Sequence, residues 1–301
     1  MRIAIIGAAG FVGQNLLSIL SSSGHEVLAC DVQPFETPTS VENRRLDITD
    51  DGAVDALVAE VDAVAHLAAH PLPASLEAPV IDAEVNIMGS LNILDAARRH
   101  ELEKVVFASA SSVVGAVESV PVKENHPVNP RSPYGVAKRS IEQYLQVYDR
   151  LYDLPYLAFR FFNVYGPHQP PQSGALVPVV LSRLHRDEGV YVTGEGTQTR
   201  DFIFSGDVAR FLRMGLEEPV RGRLVNLGRG VQTSIRDAIA VMGEVVGVDP
   251  RVEHRDPRPD EIDDFYADMS RCEQLFGEVP ATGLRAGVER TYAWLAPRLE
   301  D

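Results

Sequence analysis

Apolar and polar positions alternate along the first half of the chain with two different periods. Short apolar runs typical of buried strands are separated by stretches with the three-to-four-residue spacing of amphipathic helices. The predicted strands are Arg2–Ile6, Glu26–Asp31, Ala63–Leu67, Lys104–Ala108 and Tyr156–Phe161. The predicted helices lie near Val12–Ser22, Ala53–Glu60, Ala83–His100 and Tyr134–Tyr152. Strands and helices that alternate in this way predict an α/β fold with a doubly wound parallel sheet.

The pattern becomes less regular after Val164, where proline and glycine are more frequent. A strand at Val190–Thr193 and helices near Val177–Arg186 and Ser234–Val246 predict a second, smaller lobe of mixed α/β structure. The segment that begins at Asp201 is predicted to return to the large domain. We therefore expect a first domain of residues 1–164 with 201–228, and a second lobe of residues 165–200 and 229–301.

Composition narrows the class of protein. The 301 residues are 45% hydrophobic and 24% charged, with a formal net charge of −15. This charge argues against a nucleic-acid partner, because phosphate backbones attract clustered Lys and Arg. The two cysteines, Cys30 and Cys272, lack metal-ligand spacing and predict free thiols without a metal site. With a strand starting near Met1 and no membrane-spanning apolar run, we expect a cytoplasmic protein.

A glycine-rich segment directly follows the first predicted strand. Gly7, Gly10 and Gly13 open the first helix, and Phe11 and Val12 lie between the last two glycines. Glycines at such a turn allow backbone to approach a pyrophosphate, which the positive end of the helix dipole would attract. The plain alternative is a strand-to-helix turn without a ligand.

Asp31 favours the dinucleotide interpretation. It ends the second predicted strand, where its carboxylate can accept hydrogen bonds from the adenosine ribose hydroxyls. Residues 32–34 are Val-Gln-Pro and offer no cation for a 2′-phosphate. We therefore predict a Rossmann-type domain that binds NAD in preference to NADP.

The Gly-x-x-Gly-x-x-Gly spacing resembles the short-chain dehydrogenase/reductase superfamily. Further segments resemble the cofactor contacts of that superfamily. The resemblance implies roles in NAD binding for Asp47, Ile48, Leu67, Ala68, Ala69, Asn86, Tyr134, Lys138 and Phe161. His66, at an apolar strand end, is expected to be a packed, hydrogen-bonded histidine.

Tyr134 and Lys138 form the candidate catalytic pair. Their i, i+4 spacing places both on one face of a predicted helix. An ammonium group stabilises a phenolate, so Lys138, with further help from the positive nicotinamide ring, would lower the pKa of Tyr134 and let it remove a proton from a sugar hydroxyl. An ordinary solvated Tyr/Lys pair is the alternative.

In this superfamily a Ser or Thr completes the site, but the matching position here is Ala110. We expect Ser111 to take that role; otherwise the hydroxyl is missing.

Motifs in the second half carry a more specific resemblance. The segments Arg160–Pro167, Gly194–Ile203 and His254–Asp268 resemble the extended, NAD-dependent nucleotide-sugar epimerase/dehydratase family. Guanidinium groups bind phosphate oxygens in bidentate fashion, so Arg200 and Arg258 would suit a nucleotide diphosphate. The resemblance adds Asn163 to that site and implies that Phe265 faces the sugar C2 substituent. Surface ion pairs for the arginines, and a packing role for Phe265, are the alternatives.

The segment after Ala110 separates the reactions of this family. Its dehydratases carry Asp-Glu there, whereas this chain has Ser111-Ser112 and no carboxylate to act as acid or base. The resemblance therefore implies a UDP-glucose 4-epimerase-like activity on a UDP-hexose. A dehydratase or 4-keto reductase stays open, as does a non-catalytic NAD-binding regulator. Resemblance further implies a homodimer through Ala83–His100 and Tyr134–Tyr152.

Overall fold

The computed structural model describes residues 1–257 and 262–300. These residues form two compact units. The first unit consists of Met1–Ala116, His126–Phe161 and Ala209–Val225. The second consists of Val117–Asn125, Phe162–Val208 and the described residues of Asn226–Asp301.

The described strands follow one another in chain order. They are β1 (Arg2–Ile6), β2 (Glu26–Asp31), β3 (Glu42–Arg45), β4 (Ala63–His66), β5 (Lys104–Ala110), β6 (Tyr156–Phe161), β7 (Asn163–Tyr165), β8 (Val190–Thr193), β9 (Thr199–Arg200), β10 (Phe202–Phe204), β11 (Arg223–Leu227), β12 (Thr233–Ser234) and β13 (Val252–Arg255). Seven of them form one sheet in the order β11-β6-β5-β4-β1-β2-β3. The pairs from β6 through β3 are parallel.

The described α-helices are α1 (Phe11–Leu20), α2 (Asp51–Val58), α3 (Leu72–Glu77), α4 (Pro79–Asp82), α5 (Ser90–Arg99), α6 (Pro133–Tyr152), α7 (Leu176–His185), α8 (Ser205–Glu217), α9 (Ile235–Val246), α10 (Ser270–Phe276) and α11 (Leu284–Leu295). A π-helical segment, Ala83–Gly89, lies between α4 and α5. A 3₁₀ turn, Ser111–Val113, follows β5.

The parallel sheet is the core of the first unit. Ile3, Ile5 and Ile6 on β1 are almost completely buried, as expected for a central strand covered on both faces. The predicted doubly wound α/β fold is confirmed. The five strands predicted in this half match observed strands, and four predicted helices match the positions of α1, α2, α5 and α6.

Two features of the first unit differ from the predictions. Strand β3 reads Glu-Asn-Arg-Arg, and its mostly exposed edge position leaves no apolar pattern to detect. The predicted continuous helix Ala83–His100 is instead the π-helical segment followed by α5. Such π-helical turns are rare and often lie at functional sites, because they redirect side chains locally.

The unit boundaries also differ from the predicted domain boundaries. Residues 117–125 belong to the second unit because Val122 donates its N–H to Tyr266 O at 2.8 Å and accepts from Asn226 Nδ2 at 2.8 Å. Residues 201–208 also belong there, since β10 pairs in parallel with β7. The return to the first unit starts at Ala209, not at Asp201.

The second unit is built from short strand pairs and helices. Strand β13 pairs in parallel with β8, while β12 pairs antiparallel with β9. Helices α7, α9 and α11 pack together around an apolar cluster that includes Leu181, Met242 and Val288. In the described part of the chain, no helix is long and apolar enough to cross a membrane.

Candidate active site

Two positions in the loop between β1 and α1 have no room for a side chain, so only glycine fits there. Gly7 has φ +95°, and a Cβ there would lie 2.4 Å from the backbone nitrogen of Ala68. A Cβ on Gly13 would lie 2.2 Å from Gly7 O. These contacts hold the loop against the backbone that follows β4, and the first turn of α1 against the loop. Gly10 is the N-cap of α1 without a side-chain cap, so backbone N–H groups are left for an anion.

Asp31 is fixed at the end of β2 beside this loop. Its Oδ2 accepts the N–H of Ala9 at 3.0 Å, and its Oδ1 accepts the N–H of Gln33 at 2.9 Å. Each carboxylate oxygen keeps a lone pair for a further donor. The geometry suits the two hydroxyls of a ribose.

Eight of the predicted cofactor residues line a single cleft of about 690 Å³ in the first unit. They are Gly7, Gly10, Asp31, Asp47, Ile48, Leu67, Ala68 and Ala69. Phe11 and Val12 form the first turn of α1, and Gly13 is buried beneath the loop. Phe161 is half-buried at the end of β6, which β5 separates from β4 in the sheet. The cleft has the size and the donor set for the adenosine and pyrophosphate of a dinucleotide.

Asp47 and Ile48 shape another wall of the cleft. Asp47 Oδ1 accepts hydrogen bonds from the backbone and hydroxyl of Thr49, at 2.9 and 2.8 Å, and these bonds hold the pKa of Asp47 below its usual value. Ile48 is buried against Gly89, where a Cβ would lie 2.6 Å from Ile48 Cγ1. Both residues are therefore positioned by the chain itself.

Asn86 supports the loop after β4. Its Oδ1 accepts the N–H of His70 at 2.8 Å, and its Nδ2 donates to His70 O at 2.9 Å and to Asp82 Oδ1 at 2.6 Å. The Asn86 amide therefore makes all of these hydrogen bonds within the protein. It fixes the position of the loop that lines the cleft. His66 is a packed residue, as expected, with Nε2 at 2.8 Å from Ser90 Oγ.

Tyr134 and Lys138 lie together on α6. This helix begins after Ser132, which accepts the N–H of Gly135, and Pro133 occupies its first turn. Lys138 is 3% exposed, and its Nζ donates to Ala108 O at 2.8 Å. The same nitrogen lies 5.5 Å from the centroid of the Tyr134 ring. A buried ammonium group therefore stands beside the phenol.

The pKa values of the pair correct one expectation. Burial, with a smaller contribution from the Asp82 carboxylate, raises the pKa of Tyr134 to about 12. Burial lowers the pKa of Lys138 to about 8, although Asp82 and Glu142 act in the opposite direction. Lys138 alone therefore does not lower the Tyr134 pKa towards neutrality. A further positive charge, such as an oxidised nicotinamide ring, is required for that.

Ala110 ends β5, and the two hydroxyl residues Ser111 and Ser112 follow it directly. Ser111 begins the 3₁₀ turn and is half-buried, so its hydroxyl is available near the end of β5. Ser112 packs closely on α6, since a Cβ on Gly135 would lie 2.9 Å from Ser112 O. Neither residue supplies a carboxylate to this part of the site.

A buried ion pair that the sequence analysis does not predict lies on α6 and β6, close to the catalytic pair in the chain. Glu142 and Arg160 are each 1% exposed, and Arg160 Nε donates to Glu142 Oε1 at 2.7 Å while its terminal nitrogen donates to Oε2 at 2.8 Å. Ser109 Oγ also donates to Glu142 Oε1, at 2.7 Å. Glu142 lies four residues after Lys138, and this spacing was the one available signal.

The second unit holds the remaining predicted residues that the structure describes. Asn163 begins β7 and its side chain is exposed. Arg200 ends β9 and donates one guanidinium nitrogen to the carbonyls of Thr199 and Ile262, at 2.7 and 2.8 Å. Arg258 lies outside the described residues. Phe265 is 8% exposed and packs on Phe162 with ring centroids 5.0 Å apart, which supports the packing alternative.

A second cleft, of about 490 Å³, lies within this unit. Its walls come from three segments of the chain, and the lining residues are Thr193, Gly194, Glu195, Thr197, Gln198, His254, Arg255, Asp256, Pro257 and Asp263. Most of them fall in the segments that resemble the nucleotide-sugar family. Over residues 1–257 and 262–300, no group of three or more His, Cys, Asp or Glu side chains could hold a metal ion.

Comparisons with known proteins agree with this geometry. A UDP-glucose 4-epimerase of Mycolicibacterium smegmatis is 34% identical over 306 residues, covering 97% of each chain. The structure of a Thermotoga maritima UDP-glucose 4-epimerase with UDP-glucose superposes with a TM-score of 0.93 at 28% identity, covering 99% of this chain and 100% of that one. A Bacillus cereus UDP-glucuronic acid 4-epimerase, with UDP-glucuronic acid and NAD, superposes with a TM-score of 0.90 at 30% identity, covering 99% and 100%.

The profile of the NAD dependent epimerase/dehydratase family matches residues 3–228. That range includes the glycine loop, the Tyr134–Lys138 pair and the strands that position them. The chain belongs to the NAD-dependent epimerase/dehydratase family, its cofactor is NAD, and its chemistry is that of the nucleotide-sugar epimerases.

Proposed function

We propose that the protein interconverts the C4 epimers of a UDP-hexose through a transient 4-keto sugar. The observation that carries this proposal is the Tyr134–Lys138 pair in the same unit as the dinucleotide cleft, with serines where a carboxylate would be needed for dehydration. Similarity to UDP-glucose 4-epimerases supports the choice of reaction.

Each residue of the site would have a separate role in the reaction. The backbone N–H groups of Phe11 and Val12 in the first turn of α1 would face the pyrophosphate, and the Asp31 carboxylate would accept from the ribose hydroxyls. When bound, NAD supplies a hydride acceptor that is regenerated within each cycle. Tyr134 removes the proton from the sugar O4 and returns it after the keto sugar has turned over. Lys138 stabilises the phenolate by its charge, and Ser111 donates a hydrogen bond to the reacting oxygen.

The absence of a carboxylate at Ser111–Ser112 supports epimerisation over dehydration. Loss of the C6 hydroxyl needs a proton to be removed at C5 and another to be delivered to the leaving oxygen. A serine hydroxyl does neither efficiently near neutral pH. Epimerisation needs only one base, and Tyr134 can both take the O4 proton and return it.

The second unit would hold the nucleotide part of the substrate. The exposed amide of Asn163 is free to face a phosphate or sugar oxygen. Arg200, whose guanidinium group donates to the carbonyls of Thr199 and Ile262, would place its positive charge beside the diphosphate. We assign Arg258 the same task from the sequence. Phe265, packed on Phe162, would act on sugar choice only indirectly, by fixing the shape of the lobe.

The direct test uses the purified protein and UDP-galactose without added NAD. Proton NMR should show growth of UDP-glucose to a constant ratio, because tightly bound cofactor is recycled. No turnover of UDP-galactose, followed by turnover of UDP-glucuronic acid, would keep the reaction and change the sugar. A product that has lost water, or that forms only with stoichiometric NADH, would replace the proposal by dehydration or 4-keto reduction.

We also propose that the chain forms a homodimer through its first unit. Exposed large apolar side chains are concentrated on α3, α4, the π-helical segment and α6; these are Leu72, Leu76, Val80, Ile81, Met88, Val136, Tyr144, Leu151 and Tyr152. Burying such a surface against a second copy removes apolar area from water. Light scattering should give twice the mass of one chain, and Val80→Lys combined with Leu151→Lys should give the single mass.

A further inference from the structure

Asp82 is a buried carboxylate that the proposed mechanism does not use. It is the last residue of α4, directly before the π-helical segment, and it is 1% exposed. Nearly all buried carboxylates have a charged or hydrogen-bonding partner, because an isolated buried charge is costly. Its position therefore needs a physical reason.

One partner of Asp82 is the Asn86 amide. Asn86 Nδ2 donates to Asp82 Oδ1 at 2.6 Å, and the remaining atoms of that amide are bonded to the backbone of His70. The spacing of four residues across the π-helical segment aligns the two side chains. An amide donor stabilises the negative charge of the carboxylate, but it supplies no countercharge.

The countercharge comes from α6. Helix α4 and the π-helical segment both pack against α6, which carries the catalytic pair. The Asp82 carboxylate is close enough to raise the pKa of both Tyr134 and Lys138, and for Lys138 its effect exceeds that of Glu142. With so little exposed surface, Asp82 cannot contact a substrate in an open cleft. Apart from its bond to Asn86, it acts on the pair through its electric field.

We propose that Asp82 is a positioning residue whose charge keeps the buried Lys138 ammonium protonated and sets the pH range in which Tyr134 can accept a proton. The inference rests on the function proposed above. A negative charge stabilises the protonated form of a nearby titratable group relative to its deprotonated form. The Asp82 carboxylate therefore makes both Tyr134 and Lys138 harder to deprotonate. The other titratable groups beside the pair are His66 on β4, on which the charge of Lys138 acts, and Glu142 on α6, which is paired with Arg160.

The active form of the pair has lost one of its two protons, so activity should follow a bell-shaped pH profile with two coupled limbs. Asp82→Asn removes the charge and keeps the shape of the side chain. Because both protons are then held less firmly, both limbs should move to lower pH, by about one pH unit. A residue with a purely structural role would lower the rate without moving the limbs.

The experiment compares the pH profiles of kcat for the unmodified protein and three variants. Asp82→Asn should shift both limbs of the kcat profile to lower pH. Asp82→Glu keeps the charge and should give limbs at the same pH as in the unmodified protein. Asp95→Asn is the matched control, since Asp95 is a surface carboxylate of the same unit paired with Arg98 and Arg99. Its limbs should stay in place.

A second readout does not depend on turnover. Ultraviolet difference titration of tyrosinate in the NAD-bound protein, with Tyr134→Phe subtracted, reports the ionisation of Tyr134 directly. In Asp82→Asn that ionisation should occur at lower pH. If no UDP-sugar is epimerised but the titration shifts, the proposed reaction is wrong and the role of Asp82 stands. If Asp82→Asn does not fold, Asp82→Ser takes its place. A Tyr134 titration unchanged in the folded neutral variant overturns the proposal.

Discussion

Replacing Gly7 by alanine tests whether the cofactor loop is fixed by its contact with the sheet. Gly7 has φ +95°, and its added Cβ would lie 2.4 Å from Ala68 N and 2.7 Å from Leu67 C. Both neighbours are backbone atoms, so no side chain can rotate away. Gly24 also has a positive φ, +81°, but a Cβ there meets nothing within 4 Å. The second glycine therefore provides a matched control in the same unit.

The expected magnitudes follow from these distances. An L residue in the left-handed region costs about 1–2 kcal/mol, which applies to both substitutions. At Gly7 the contact must also open from 2.4 Å to at least 3.4 Å for ordinary van der Waals distance. That movement pulls Leu67 and Ala68 away from Ile6 O, which now accepts both N–H groups at 2.8 Å. Losing two such bonds adds about 2 kcal/mol.

Urea denaturation of Gly7→Ala and Gly24→Ala without added NAD measures both free energies of unfolding. Gly7→Ala should be less stable than Gly24→Ala by about 2 kcal/mol, the cost of the lost hydrogen bonds. Both sites lie in the first unit, so the comparison uses one unfolding transition with one slope. Equal destabilisation by the two substitutions would refute the argument that backbone contact fixes the loop.

Three further predictions concern the catalytic pair and the buried histidine. Tyr134→Phe should lower kcat by about 10²- to 10⁴-fold, because the proton acceptor is lost, with NAD binding by calorimetry unchanged. Ala110→Ser should raise kcat and make Ser111→Ala less harmful, since it adds a second hydroxyl near the end of β5; steady-state kinetics of the single and double variants checks this. Burial lowers the pKa of His66 from 6.5 to about 3, so unfolded chains bind a proton that the folded protein excludes. Stability should therefore fall as the pH drops from about 6.5 towards 3, and His66→Gln should weaken that dependence in urea titrations.

Each of these predictions has an outcome that contradicts it. Full activity in Tyr134→Phe would remove the assigned base. A kcat for Ser111→Ala equal to that of the unmodified protein, with Ala110 in place, would show that this hydroxyl takes no part. For His66 the slope of stability against pH is the readout, because the substitution also breaks the bond to Ser90. An unchanged slope would contradict the buried neutral state.

Part of the site could be predicted because local rules determine it. Three features of the site each lie within one short segment, where residue type and spacing indicate the chemistry. They are the glycine loop, Asp31 and the Tyr134–Lys138 pair. Asp82 and the Glu142–Arg160 pair were not predictable in this way. Arg160 lies on β6, whereas Glu142 lies on α6, and Asp82 acts on α6 from the neighbouring α4. The four-residue spacings to Lys138 and Asn86 do not show that either carboxylate will be buried. The edge strand β3 was missed because four polar residues carry no apolar period.

The sequence by itself determined the alternation of strands and helices, the glycine turn that only that residue type permits, and the class of cofactor. These properties follow from side-chain period, backbone freedom and charge within a few residues. Tertiary structure alone decided the protonation of the catalytic pair. The sequence predicts a lysine that lowers the Tyr134 pKa, whereas burial raises that pKa to about 12 and lowers that of Lys138 to about 8. Desolvation depends on every element packed around a group, and the Asp82 carboxylate acts through space, so neither can be read from the order of residues.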